Sequence, residues 1–193
     1  MTKSIYERRV ESFIFNFFDR EGKRIIKDSA MTIDKIQDDF KKSIQKMRPG
    51  DIRVFQEIKL SSISKENVSY KTDVGAAFVD FCKARSLDSY QMSSIYKDVS
   101  GLYNSASLRY DFLVCKMNNS GKLQMTAIEV NGPQHYFGTG TTFANQIKRD
   151  IAKLIMSHRL GVKFIEIDAS CGISPAGYEL IEKELKKFGA KKA

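Results

Sequence analysis

Four runs between residues 108 and 168 decide how this chain folds: LRYDFLVCK (108–116), LQMTAIEVNGPQHY (123–136), QIKRDIAK (146–153) and GVKFIEID (161–168). The first two are β-rich, and NNSGK (118–122) joins them with Asn-Ser-Gly chemistry suited to a hairpin. From Thr142 to Leu160, the residues Phe143, Ile147, Ile151, Leu154 and Ile155 form one helical stripe, and Gly161 stands where a C-terminal cap is expected. VKFIEID reads as a short buried strand. Ser174 followed by Pro175 opens a last helix through Tyr178, Leu180, Ile181, Leu185 and Phe188. The order strand, strand, helix, strand, helix predicts an α/β (α+β) fold: a mixed central β-sheet flanked by helices.

Toward the N-terminus, SIYERRVESFIFNFFDR (4–20) places Ile5, Val10, Ile14, Phe17 and Phe18 near helical spacing, with Phe13 and Phe15 widening the apolar side. A turn at Gly22 precedes a short β-capable run. KIQDDFKKSIQKM (35–47) resumes the helical period and is ended by RPGD (48–51). IRVFQEIKL (52–60) reads as a strand, and the stretches 71–86 and 89–107 read as helices. This predicts a mainly helical N-terminal region over 1–70, an appendage able to grip nucleic acid, and an α/β core over 71–193.

Composition bounds the function classes. The 193 residues carry 32 Lys plus Arg against 23 Asp plus Glu, a formal net charge of +9. Such an excess favours a polyanion, and nucleic acid is the usual one. No stretch approaches the roughly 18 uninterrupted apolar residues of a membrane span. MTKSIYERRV lacks the apolar core of a secretory signal. Cys82, Cys115 and Cys171 are scattered, with no CxxC pair, and read as reduced thiols. The expectation is a cytoplasmic or otherwise reducing intracellular compartment, with no membrane partner.

The chemistry concentrates where the fold signal does. Asp111 and Glu129 lie on paired strands, and a hairpin brings them to one end of the sheet. A carboxylate inside TAIEVN is costly to bury without a partner or a metal. Hard cations such as Mg²⁺ or Mn²⁺ take oxygen ligands and assist phosphodiester hydrolysis. The alternative is an internal salt bridge, Glu129 with Arg109 or with Lys153. Gln146, Asp150 and Lys153 share one helix face at i, i+4, i+7. Lys153 there can orient water or stabilise charge on a phosphate. His135 follows the Gly-Pro turn and can act as general base, general acid or ligand. Arg109, Gln134, Gln146, Lys148 and Arg149 surround this set as candidate nucleic-acid contacts, with a solvated face the plainer reading of Lys148 and Arg149.

Asp111, EVNGPQHY (129–136), KRDIAK (148–153) and GVKFIEID (161–168) together resemble the PD-(D/E)XK nuclease superfamily, in its branch of very short patch repair endonucleases. The resemblance covers about 60 residues and implies a restriction-endonuclease-like core and Mg²⁺- or Mn²⁺-dependent endonuclease activity, with DNA favoured. It assigns Asp111 and Glu129 as metal ligands, His135 to proton transfer and Asp150 as the acid that orients it. Asn131 departs from the pattern: it stands where that branch has Asp and the wider superfamily has its catalytic Lys. An Asn131 carbonyl is still a possible third metal ligand, and a lysine has to come from the helix, as Lys153. The same block also resembles the RAP domain, which implies the alternative of a non-catalytic or weakly catalytic RNA-binding module.

Overall fold

Ser4 starts the first helix by a reciprocal cap. Its hydroxyl accepts the Glu7 N–H at 3.1 Å, and the Glu7 carboxylate accepts the Ser4 N–H at 3.3 Å. The helix, α1 (Ile5–Arg20), buries Val10, Ile14, Phe17 and Phe18 at the expected spacing. In this computed structural model, residues 3–21, 25–27, 40, 42–60, 63, 79, 81–88, 108–138 and 140–189 are described. The expected helix over 71–86 lies largely outside them and that over 89–107 wholly so, as does the first part of 35–47. Helical turns are present at 42–45 and 81–84.

The sheet has five strands in the order β1 (Ile25–Lys27), β2 (Ile52–Lys59), β3 (Arg109–Met117), β4 (Leu123–Asn131) and β5 (Lys163–Asp168). β1 runs parallel to β2, while β2, β3 and β4 form an antiparallel meander. β4 and β5 are parallel, joined across the sheet by α2 (Gly140–Arg159). The β3–β4 hairpin closes on Asn118, whose side-chain oxygen accepts the N–H groups of Ser120 and Lys122, with Gly121 at φ +74°. Gly161, at φ +64°, ends α2 as the sequence suggests. The Ser174 hydroxyl accepts the Gly177 N–H to start α3 (Pro175–Gly189).

Two apolar clusters flank the sheet. On one face Ile147, Ile151, Leu154 and Ile155 of α2 meet Phe55, Leu113, Cys115, Met125 and Ala127. On the other, α1 and α3 (Ile181, Leu185, Phe188) meet Ile52, Val54, Phe112, Val114, Ile128 and Ile165. Each fully buried side chain of this size contributes about 1.5–3 kcal/mol. The fold is therefore α/β with a mixed sheet between helical layers, as expected.

Among the described residues before 70, β2 pairs with β3 along most of its length and α1 packs in the same core as α3, so these two elements are part of the α/β unit. A helical appendage would need its own core, whereas the apolar stripe of α1 is used up on the sheet.

Candidate functional site

All the residues of interest lie at one end of the sheet, where β2, β4 and β5 finish and β3 begins. Across the strands there, four carboxylates stand at one level. Gln56 opposes Phe112 and Ile58 opposes Tyr110, which sets Glu57 against Asp111. Phe112 opposes Ile128, which sets Asp111 against Glu129, and Glu129 is the partner of Glu166 on β5. The ladder between β3 and β4 stops short of this level, and side chains take it over. Asp111 Oδ2 accepts the Val130 N–H at 2.8 Å, and Glu129 Oε1 accepts the Asp111 N–H at 3.2 Å. Two carboxylates thus replace backbone carbonyls where the strands separate.

The strands also bend here. Phe55 and Ile58 of β2 lie in one apolar cluster, as do Tyr110 and Leu113 of β3, so the in-and-out alternation slips by one residue in both strands. Glu57 takes up the slip with φ +51°, a left-handed conformation that a side-chain-bearing residue adopts at a cost of order 1–3 kcal/mol. Tyr110, past the slip, reaches back to the Ser157 hydroxyl of α2.

Glu129 is 3% exposed. Its Oε2 accepts from Lys153 Nζ at 2.5 Å, which is one of the two internal salt bridges that the sequence offers as the alternative to a metal. Burial, then the neighbouring Asp111 charge, raises Glu129 well above the ordinary carboxyl range against the pull of Lys153. Asp111 is raised by burial, opposed by Lys153 and the Val130 N–H. Glu57 is raised by burial and by Asp111. Burial pushes Lys153 down, but Glu129, Asp111 and Asp150 outweigh it and hold the ammonium charged. Lys153 acts on Glu57, Asp111 and Glu129 together, and Arg109 adds its charge at Glu57.

Beside it lies a second group. After β4, Pro133–His135 form one 3₁₀ turn that carries His135 toward α2. His135 Nδ1 lies 2.8 Å from Asp150 Oδ2, and Gln146 donates to Asp150 Oδ1 at 2.9 Å. Asp150 is 2% exposed and Gln146 half-buried, so the face they share with Lys153 lies against the sheet and not in solvent. The Arg85 guanidinium, from the turn at 81–88, donates to Glu166 Oε1 at 2.7 Å and lies 3.8 Å from Asp150 Oδ2. Burial raises Glu166 despite Arg85.

Of the expected site residues, Asp111, Glu129 and Lys153 come together, and His135, Asp150 and Gln146 come together next to them. Gln146, expected as a nucleic-acid contact, is half-buried and bonds Asp150, since a side chain this close to a buried carboxylate is drawn to it. Asn131, expected as a third metal ligand, has polar partners of its own. It is almost fully buried, its Nδ2 donates to Glu166 Oε1 at 2.7 Å and it is hydrogen-bonded with Tyr136, so its amide nitrogen is engaged within the second group. Gln134 and Arg149 are exposed, Lys148 and Arg109 half-buried.

The sequence reading missed Glu57, Arg85 and Glu166. The cost of burying a carboxylate in a strand, used for Glu129, applies equally to Glu57 in VFQEIK and Glu166 in KFIEID. Arg85 left no such trace, because an arginine at the end of the stretch read as a helix over 71–86 is ordinarily solvated.

Among the described residues, no group of three or more His, Cys, Asp or Glu is arranged to hold a metal ion by itself. Mg²⁺ keeps several waters and uses only one or two carboxylates, and Asp111 and Glu129 are the two that adjoin where β3 and β4 separate. No family model matches the chain, and no curated protein or solved structure matches it. Among the described residues no helix is long and apolar enough to cross a membrane.

Proposed function

We propose that the chain is a metal-dependent nuclease of PD-(D/E)XK type, with a restriction-endonuclease-like core, hydrolysing phosphodiester bonds in nucleic acid, DNA favoured. The observation that carries this reading is the meeting of Asp111, Glu129 and Lys153 where β3 and β4 separate. Two hard oxygen donors and a retained ammonium at strand ends suit a phosphate and its counterion. The net charge of +9 suits the polyanion, and Phe137, 68% exposed beyond the His135 turn, offers a face on which a base can stack.

Asp111 and Glu129 would hold Mg²⁺ or Mn²⁺, which when bound neutralises charge on the scissile phosphate and activates water. Lys153, fixed by Glu129, stabilises the charge that grows on the phosphoryl oxygens. His135, with Nδ1 on Asp150, has Nε2 left to accept a proton from the attacking water or to give one to the leaving oxygen. Water then adds to phosphorus as the P–O ester bond breaks, and the two products are a phosphomonoester and a free hydroxyl.

The alternative, an RNA-binding RAP-like module without turnover, draws on the engaged amide of Asn131. Purified chain incubated with DNA and RNA substrates in Mg²⁺ or Mn²⁺ separates the two. Cleavage is expected, and Asp111→Asn or Glu129→Gln should lower it by about 10³-fold or more while salt-sensitive binding persists. Salt-sensitive binding of RNA with no cleavage in either metal selects the RAP-like module, and cleavage indifferent to both substitutions overturns the site.

A further inference from the structure

We propose that Arg85 is a positioning residue: clamped by Glu166, its guanidinium holds the Asp150 carboxylate that fixes His135 in its Nδ1-protonated tautomer. The consequence for catalysis rests on the nuclease reading above; the tautomer does not.

The geometry is that of a built network. The Arg85 side chain is 1% exposed, and Glu166 takes it through both terminal nitrogens, at 2.7 and 3.5 Å. The guanidinium carbon stands 3.6 Å from the Phe81 ring centre and 5.0 Å from that of Tyr136, so aromatic faces border the cation. Asn131 binds the Glu166 oxygen that Arg85 also uses. The backbone is set for the same purpose. Leu87 N–H donates to the Cys82 carbonyl at 3.1 Å and Arg85 N–H to the same carbonyl at 3.1 Å, while Ser86 adopts φ +53° to close the turn. Glu57 and Ser86 are the only non-glycine residues with positive φ among the described residues, and both adjoin this site.

Arg85 Nε is buried with no hydrogen-bond partner among the described residues. An unmet donor makes a buried ion pair a poor stabilising device, since apolar replacement of such pairs is often neutral or better. What the pair does accomplish is orientation. With Arg85 3.8 Å from Asp150 Oδ2, that carboxylate stays an acceptor, and it already accepts from Gln146. Two groups reach Nδ1: the Asp150 carboxylate at 2.8 Å, which can only accept, and the Gln146 amide nitrogen at 3.2 Å, which can only donate. The nearer, charged acceptor draws the hydrogen to Nδ1, which leaves Nε2 with the lone pair, while Gln146 gives its hydrogen to Asp150. Free imidazole in water favours the opposite tautomer.

The experiment is a long-range ¹H–¹⁵N spectrum of the imidazoles, recorded above their titration. The chain has only His135 and His158, and H158Q assigns them. The wild-type His135 should show the Nδ1-protonated pattern. In R85Q, and in the charge-neutral pair R85M/E166Q in case the single variant does not fold, the pattern should move toward the Nε2-protonated or mixed form. R85K, which keeps the charge, should restore most of the wild-type pattern. On a cleavable substrate, the rate constant should fall about 10–100-fold in R85Q with KM changed less than about twofold. A folded variant whose His135 keeps the Nδ1-protonated pattern overturns the proposal, even if the wild-type chain cleaves. A shifted tautomer in a chain that cleaves nothing upholds the positioning role and overturns the nuclease reading instead.

Discussion

Lys153 is the counter-charge shared by a buried carboxylate group, and its removal should be felt in stability before it is felt in activity. Lys153→Met leaves Glu129 uncompensated beside Asp111, and urea denaturation near neutral pH should show a loss of about 3–5 kcal/mol. The double variant Glu129→Gln/Lys153→Met should recover more than half of it, because no buried charge then remains on that pair. At Glu57 the sign reverses. Glycine accepts φ +51° freely, so Glu57→Gly should raise stability by about 1 kcal/mol in the same experiment while lowering cleavage. A loss of stability there would mean that the carboxylate, not the backbone, matters at that position. Glu129 was legible in the sequence because it interrupts an apolar run, and Lys153 because it shares a helix face with Gln146 and Asp150. Arg85 was not, since an arginine in a short turn signals nothing until the turn is placed against the sheet.

At the scale of elements, the level of carboxylates across β2 to β5 gives the molecule a pH dependence. Burial raises Glu129, Asp111, Glu166 and Glu57, so the folded chain holds protons on them more tightly than the unfolded chain does. Their contribution is fully present below the ordinary carboxyl range near 4.5 and is lost as pH rises through the raised folded values. Lys153, raised from 10.5, contributes evenly across that window and weakens only in strong alkali. Urea midpoints should therefore fall between about pH 5 and about pH 8, and Glu129→Gln should flatten the fall. Midpoints that rise over this range would show the row to be fully compensated. The strand runs themselves were readable from alternation and turn residues. The slip at Glu57 and Asp111 was not, because alternation in one strand cannot reveal that its neighbour bends at the same level.

The whole molecule ties its N-terminal elements to the site. A chain beginning at residue 71 would lack α1 and β2, leaving β3 an open edge and stripping Val10, Ile14, Phe17 and Phe18 from the core. Circular dichroism of that fragment should show an unfolded or aggregating species; a folded, cooperatively melting fragment would support the division at residue 70. The sequence by itself determined the strands and helices of 108–189, the mixed sheet, the apolar stripe of α1 and the need of Glu129 for a partner. Those follow from local periodicity, caps and the cost of burying charge. Only the tertiary structure decided that β2 belongs beside β3, that Asn131 turns to Glu166, and that Glu57, Arg85 and Glu166 join the site at 108–168. Each depends on contacts between residues far apart in the chain, where burial and charge are set by what the fold brings near rather than by what the sequence places next.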